Sequence, residues 1–361
     1  MPTFLVSAVE IVIGIFLLFC GGELFVKGSV IVALILGIPQ LIIGLTVVSL
    51  GTSAPELFVS ISSVLKGSDI LAVSNVVGSN IFNILVVLGG SALVVPLKVK
   101  SRLVRRDVPL LIAVSTAVWG IASSGRITWQ AGLALLTALV INTIWEIRSV
   151  REEPEDTKDS EPEIDEQLTS KRWLNAFINM LVGITLLTIG SNFLVKGASS
   201  AALFLGVSEA VIGLTIVAAG TSMPELITSL VAAFRGRTDL AIGNVVGSSL
   251  LNQLLVLGGT ALFAGKNGLR VENLLIQKDL PFMILTTLAC LPIFWSNGKI
   301  SRQEGAILIF LYISYLIDQV LPNTLPTWQD EFRLIILCVA LPIIMIVITY
   351  QTMRYWKKLR N

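Results

Sequence analysis

Residues 44–90 (GLTVVSLGTSAPELFVSISSVLKGSDILAVSNVVGSNIFNILVVLGG) and residues 213–259 (GLTIVAAGTSMPELITSLVAAFRGRTDLAIGNVVGSSLLNQLLVLGG) align without a gap at a constant offset of 169, with 25 of 47 positions identical. A repeat of this strength means one structural unit used twice, so any fold for the chain must accommodate the same segment in two places. Both copies are largely apolar, yet the matches include Gly51/Gly220, Thr52/Thr221, Ser53/Ser222, Pro55/Pro224, Glu56/Glu225, Asn75/Asn244, Ser79/Ser248 and Asn83/Asn252. Shared apolar composition does not produce that set. A weaker echo, LFVKG at 24–28 and FLVKG at 193–197, extends each unit back to a preceding apolar run.

The surroundings of the repeat decide its setting. Of 361 residues 54% are hydrophobic and 14% charged, and the mean hydropathy is +0.84. Such a chain is no soluble enzyme. A membrane span takes roughly 20 mainly apolar residues, and about eleven such runs can be placed. They start near Phe4, Gln40, Ile70, Asp107, Ile127, Leu174, Glu209, Leu240, Leu280, Glu304 and Phe332. The first run lacks a basic leader and continues past any plausible cleavage point, which argues against a removed signal peptide. The net charge of +2, with basic residues in short loops, implies no nucleic-acid partner. Histidine is absent, which removes imidazole catalysis and imidazole metal sites. Cys20, Cys290 and Cys338 sit in apolar runs without a CxxC pair, so neither a disulfide framework nor a thiolate site is expected.

Between Arg148 and Arg172 the chain turns acidic and Pro/Ser-bearing, the signature of a solvated linker. It has no EF-hand pattern. The expected organisation is a first five-helix repeat (1–147), an acidic linker (148–172), a second repeat (173–321) and an additional C-terminal helix with a basic tail (322–361). Five spans per repeat, an odd number, bring the second copy into the bilayer from the opposite side. The expected fold is an all-α multi-pass membrane protein with a ten-helix core of two inverted five-helix repeats. Lys98, Lys100, Arg102, Arg105 and Arg106 follow the third span, and Arg354, Lys357, Lys358 and Arg360 follow the last. By the positive-inside rule the N-terminus is outside and the linker and C-terminus are cytoplasmic.

The chemistry lies in GTSAPEL and GTSMPEL. Proline removes a backbone donor and disfavours helical geometry before it, so each helix should break near mid-membrane. That frees the carbonyls around Gly51, Thr52 and Ser53, and around Gly220, Thr221 and Ser222, and a cation is a good partner for such groups. One residue past each proline stands a glutamate, expensive in a bilayer unless paired, hydrated or protonated. No Lys or Arg lies near the centre of these spans. Two carboxylates, hydroxyls, amides and loose carbonyls make an all-oxygen shell of the kind Ca²⁺ takes, and Na⁺ can share it. Mg²⁺ fits less well, and soft metals lack their ligands. In the second arm, GSNIFN and GSSLLN, Ser79 and Asn83, and likewise Ser248 and Asn252, stand four apart on one helical face.

Plainer readings exist for each feature. A lone Pro kink is usually only a bend, and glycine spacing alone is helix packing. The adjacent glutamate and the recurring Asn argue for more. Glu23 with Lys27 reads as an i,i+4 pair and Lys196 as a snorkelling side chain, so neither is assigned to the site.

The doubled GTSxPEL and GSNIxN segments resemble the two alpha-repeats of the calcium/cation antiporter superfamily, most closely its short sodium/calcium exchanger-like members. The resemblance covers nearly the whole chain. It implies a transport site between the second, third, seventh and eighth helices, in which Glu56 and Glu225, with the Thr52 and Thr221 carbonyls, ligate Ca²⁺. Sodium sites would use Thr52, Ser53, Ser79 and the Ser49 carbonyl on one side, and Thr221, Ser222, Ser248 and the Ala218 carbonyl on the other. Asn83 and Asn252 would line a middle position, and the long helices over Phe4–Leu36 and Leu174–Leu205 would slide as a gating pair. The chain departs from the pattern at Asn252, where several members carry Asp, and at Ser249, where Asn is usual. The site then holds two formal negative charges, balanced by one Ca²⁺ or two Na⁺.

The expected activity is exchange of Ca²⁺ for Na⁺ by alternating access, with the ions as transported ligands, no cofactor, the lipid bilayer as surroundings and no protein partner implied. Ca²⁺/H⁺ exchange at the same glutamates is the close alternative. A channel would conduct without a counter-ion, and an intramembrane metalloenzyme lacks a nucleophile and base.

Overall fold

The computed structural model describes residues 2–152 apart from Ile38, 169–204, and 218–336 apart from Leu325, with two further isolated positions. Among these the chain is helical, with four two-residue strands in the connections. The helices are α1 (Pro2–Leu36), α2 (Gln40–Thr52), α3 (Ala54–Leu65), α4 (Asp69–Val94), α5 (Val108–Ala122), α6 (Trp129–Glu152), α7 (Thr169–Phe204), α8 (Ala218–Thr221), α9 (Met223–Phe234), α10 (Thr238–Phe263), α11 (Leu280–Asn297), α12 (Arg302–Thr324) and α13 (Gln329–Ile335).

By length and hydropathy six of the described helices suffice to cross a membrane, and α2 with α3, bent by 41°, makes a seventh span. Eleven spans were expected. Four expected spans are missing from this set: α5 is 15 residues long, α6 is not among the six, the span from Glu209 leaves only short pieces such as α9, and most of the run from Phe332 lies outside the described residues. The boundaries of the linker also shift. Residues 148–152 continue α6 and 169–172 open α7, because helical hydrogen bonding continues beyond the apolar run. The remaining linker, 153–168, lies outside the described residues.

Burial ranks the helices. In α10, 94% of the best apolar stretch is buried, and in the span Asp69–Val94, 72%, against 22% in Arg172–Gly197. The polar-matched arms of the repeat are thus central, and α7 is peripheral. Phe16, Phe58, Phe177 and Leu285 point outward, each more than half exposed, as apolar side chains of a membrane protein do.

The connections show how the two halves are related. Strand β1 (Leu97–Lys98) follows α4, and it pairs antiparallel with β4 (Lys299–Ile300), which follows α11. Strand β2 (Arg126–Ile127) follows α5 and pairs with β3 (Leu269–Arg270), which follows α10. The end of the third span in one half therefore meets the end of the fourth span in the other, and the reverse. This is the pairing that oppositely directed halves produce.

The first helix of each half packs antiparallel on the other, with backbone nearly touching backbone. A Cβ placed on Gly183 would lie 2.6 Å from the Phe25 nitrogen, and one on Gly14 would lie 2.7 Å from the Leu194 nitrogen. Gly21 meets Gly183 and Gly28 meets Ala176 in the same way. Small residues permit this approach where no hydrophobic force draws helices together.

A further correspondence extends beyond the 47-residue alignment. π-helical turns occupy Asn83–Leu88 and Asn252–Leu257, and a second pair, Leu103–Asp107 and Leu275–Asp279, opens α5 and α11. Beside the second pair, Arg106 bridges Glu146 at 3.2 Å and Lys278 bridges Asp318 at 2.8 Å. Arg102 also bonds to Glu146.

Candidate functional site

The site forms where the broken spans cross the central helices. At Ser53 the backbone leaves helical geometry (φ −83°, ψ 3°), and at Ser222 it does the same (φ −92°, ψ 9°). Pro55 and Pro224 then sit in the first turn of α3 and α9, where a missing N–H costs nothing. The break occurs where the sequence places it, but fewer carbonyls are freed than expected. The Ser53 carbonyl accepts the Leu57 N–H at 3.2 Å, and the Ser222 carbonyl accepts the Leu226 N–H at 3.2 Å. The Ser49 carbonyl accepts the Ser53 N–H at 2.9 Å and the Thr52 hydroxyl at 3.4 Å. The Gly220 carbonyl accepts the Ser191 hydroxyl from α7. The Gly51 carbonyl loses its helical partner outright, because the residue four positions on is Pro55, which has no N–H.

The two glutamates are fully buried, and each is held by the serine of the opposite half. The Ser53 hydroxyl donates to Glu225 Oε1 at 3.1 Å, and the Ser222 hydroxyl donates to Glu56 Oε1 at 3.0 Å. This reciprocal exchange brings both carboxylates to one place from segments 169 residues apart. Thr52 Oγ1 lies 3.3 Å from Ser248 Oγ and donates to Asn244 Oδ1 at 3.2 Å. Thr221 Oγ1 donates to Asn75 Oδ1 at 3.2 Å. The Ser49 side chain turns to the carbonyls of Gly44 and Asn244, at 2.5 and 3.0 Å. Ala218 opens α8, one turn before the break.

What these bonds leave over is informative. Glu56 Oε2, Glu225 Oε2, Ser79 Oγ and both polar atoms of Asn83 and of Asn252 are buried, with no hydrogen-bond partner among the described residues. Buried polar atoms are ordinarily paired, so seven such atoms carried by the two broken spans and the two central helices are a departure that calls for a partner. Five of the seven are oxygens, two of them from carboxylates, and among the described residues no lysine or arginine is buried. The described residues contain no group of three or more His, Cys, Asp and Glu; hydroxyl and amide oxygens would complete the shell of a hard cation.

Several residues that hold this arrangement were not singled out as site residues from the sequence. Asn75 and Asn244 each bond across to a threonine of the other half, and they donate back to Ser60 at 3.2 Å and Ser229 at 2.9 Å. Their signal was present in the repeat, where Asn75/Asn244 and Ser60/Ser229 are identical pairs. Ser191 and Gln253, which donates to Asn80 Oδ1 at 3.2 Å, carried none, because their repeat counterparts are Gly22 and Ile84. The expected pair Glu23–Lys27 is replaced: Glu23 takes Arg235 at 2.5 Å. Lys196, expected to snorkel alone, bridges Glu10 at 2.7 Å. For Glu23, Arg235 of the other half offers the counter-charge in place of the lysine one turn away.

Comparison with known proteins follows the same lines. The family "Sodium/calcium exchanger protein" matches in two stretches, residues 6–148 and 175–321. CaxA of Alkalimonas amylolytica is 36% identical over 319 residues, covering 86% of this chain and 98% of that protein. The sodium/calcium exchanger MaX1 of Methanosarcina acetivorans is 29% identical over 350 residues, covering 86% and 98%. The solved structure of the sodium-calcium exchanger NCX_Mj, soaked with 10 mM Na⁺ and 10 mM Sr²⁺, superposes with a TM-score of 0.72 at 29% identity, covering 86% of this chain and 97% of that one. The chain belongs to the sodium/calcium exchanger protein family and is a multi-pass membrane transporter of the cation antiporter type, not an enzyme.

Proposed function

We propose that this chain exchanges Ca²⁺ for Na⁺ across the membrane by alternating access at the site of Glu56 and Glu225. The observation that carries the reading is the reciprocal hold of each carboxylate by the other half's serine, with Glu56 Oε2 and Glu225 Oε2 left buried and unpartnered. One oxygen of each glutamate is fixed and the other is presented to the cargo. Ca²⁺ would take both presented oxygens, completed by the Thr52 and Thr221 carbonyls. Na⁺ would be held by Thr52, Ser53, Ser79 and Ser49 on one side and Thr221, Ser222, Ser248 and Ala218 on the other, with Asn83 and Asn252 lining the middle. Because an empty pair of buried carboxylates is costly to enclose, the gates move only when cations neutralise it.

The two stretches matched by the family support a division into inverted repeats over 1–147 and 173–321 joined by the acidic linker, with 322–361 as an appendage. The basic loops after α4 and α9 support an outside N-terminus and a cytoplasmic linker and C-terminus. The glycine contacts of α1 on α7 offer a smooth track along which the pair would slide as the gate. The lipid bilayer is the expected environment, and the site needs no protein partner.

The test is ⁴⁵Ca²⁺ uptake into proteoliposomes preloaded with Na⁺, against choline-loaded vesicles at the same pH. Uptake that requires the outward Na⁺ gradient, and that is lost in both Glu56→Gln and Glu225→Gln, is the expected result. Uptake driven by a pH gradient and indifferent to Na⁺ would replace Na⁺ by H⁺ as the counter-ion. Full transport by either glutamine variant would remove the site assignment.

A further inference from the structure

We infer that Gln253 is a positioning residue: its side-chain amide ties the central helices α4 and α10 together beside Ser79 and Ser248, and so sets the affinity for Na⁺ more than that for Ca²⁺. The inference rests on the proposed exchanger reading and its assignment of ligands. It starts where the repeat is broken. Asn80 in the first copy aligns with Ser249 in the second, and Ile84 aligns with Gln253. The second copy has thus lost an amide at one position and carries one a helical turn further on, along the same face.

The displaced amide joins the two halves. Asn80, Ser249 and Gln253 are all buried. Asn80 Nδ2 donates to the Val76 carbonyl of its own helix at 2.8 Å, and its Oδ1 accepts Gln253 Nε2 at 3.2 Å. Gln253 Nε2 also donates to the Ser249 carbonyl of its own helix at 3.3 Å. These bonds run in series from the backbone of α4 to the backbone of α10, across the contact between the first and second copies.

The position of this tie gives it a consequence for the cargo. Asn80 directly follows Ser79, and Gln253 directly follows Asn252. Both helices pass into π-helical turns here, at Asn83 and at Asn252, and such turns depart from the regular α-helical ladder, so contacts from outside the helix help to fix their side chains. The proposed Ca²⁺ ligands, Glu56, Glu225 and the Thr52 and Thr221 carbonyls, all lie on the broken spans, where Ser53 and Ser222 already hold the carboxylates. A Na⁺ shared by Ser79 with Thr52 and Ser53, or by Ser248 with Thr221 and Ser222, must instead bridge a broken span and a central helix. Holding α4 against α10 lowers the ordering cost of that bridge and leaves the Ca²⁺ contacts as they are.

The experiment is Na⁺-driven ⁴⁵Ca²⁺ uptake by the full chain in proteoliposomes, titrated in internal Na⁺ at saturating Ca²⁺ and in external Ca²⁺ at saturating Na⁺. Gln253→Met keeps the length and bulk of the side chain and removes the donor. Half-saturating Na⁺ should rise about fivefold, the equivalent of one net hydrogen bond, and half-saturating Ca²⁺ should stay within about twofold. General loosening of the fold would move both. Asn80→Ser removes the acceptor from the other side, while its hydroxyl can still bond to the Val76 carbonyl; it should give the same split, and it tests the tie even where Gln253→Met does not assemble. The double variant should be no worse than either single one, because both remove the same bond. An unchanged Na⁺ requirement, an equal rise for Ca²⁺, or additive effects of the two substitutions would overturn the inference and leave the exchanger reading intact. Absence of Na⁺-dependent uptake by the unmodified chain would overturn both.

Discussion

Replacing Asn244 by alanine should destabilise the protein more than replacing its repeat counterpart Asn75, and the structure states by how much. Asn244 is fully buried, donates to Ser229 Oγ at 2.9 Å and to the Glu225 carbonyl at 3.3 Å, and accepts the Thr52 hydroxyl at 3.2 Å. The Ser248 hydroxyl at 3.5 Å adds little at that distance. Asn75 makes two bonds, donating to Ser60 and accepting from Thr221, both at 3.2 Å. At about 1 kcal/mol net per bond, and somewhat more where a buried partner is left unpaired, the losses are roughly 3–5 kcal/mol for Asn244→Ala and roughly 2–3 kcal/mol for Asn75→Ala. The side-chain volume removed is the same in both, so the cavity contribution largely cancels in the comparison. SDS titration of the purified variants in mixed micelles reads the unfolding free energies directly. Asn244→Ala should lie below Asn75→Ala by about 1 kcal/mol or more, at least about fivefold in the equilibrium constant. Equal losses, or the reverse order, would refute the claim that these amides act through the counted bonds.

Other perturbations test the packing and the breaks. Gly183→Ala puts a methyl 2.6 Å from the Phe25 nitrogen, and overpacking of this kind should cost about 1–3 kcal/mol and slow transport; Gly120→Ala, with nothing within 4 Å, is the control that should leave both unchanged. Ser191→Ala removes the donor to the Gly220 carbonyl, whereas Pro224→Ala restores an N–H four residues on. A double-mutant cycle should therefore show the second substitution compensating the first by about 0.5–1 kcal/mol, and strict additivity would count against Ser191 as the substitute donor. Glu146→Gln leaves Arg102 and Arg106 facing a neutral amide in a buried setting, with an expected loss of about 3–5 kcal/mol. Glu23→Gln, at the exposed pair with Arg235, should cost no more than about 1 kcal/mol by the same SDS titration.

Much of the site was legible before any coordinates, for reasons that can be named. Pro55 and Pro224 lack an N–H wherever they are placed, so each break follows from local covalent chemistry. Glu56 and Glu225 stand out because a carboxylate in an apolar run demands an explanation, and the repeat supplied the second instance of everything that mattered. The legibility failed where a group's partner is distant in sequence. The Gly220 carbonyl, expected to be freed by the break, takes the Ser191 hydroxyl of α7, a donor 29 residues away. Glu23 and Arg235 are 212 residues apart, and no local spacing announces them. The π turns starting at Asn83 and Asn252 depend on how α4 and α10 are packed on their neighbours, and helical periodicity alone does not distinguish them from α-helix.

The sequence by itself determined that the chain is a doubled, membrane-embedded helical unit, where its second and seventh spans break, and that a glutamate follows each break. These follow from properties that each residue carries everywhere: hydropathy, a missing donor, a charge. Only the tertiary structure decided that Ser53 holds Glu225 and Ser222 holds Glu56, and that one carboxylate oxygen of each is left buried without a hydrogen-bond partner among the described residues. Those are relations across the interface between two oppositely directed halves. Packing geometry sets them, since which oxygen is satisfied and which is left depends on distances of about 3 Å between segments that the sequence keeps far apart.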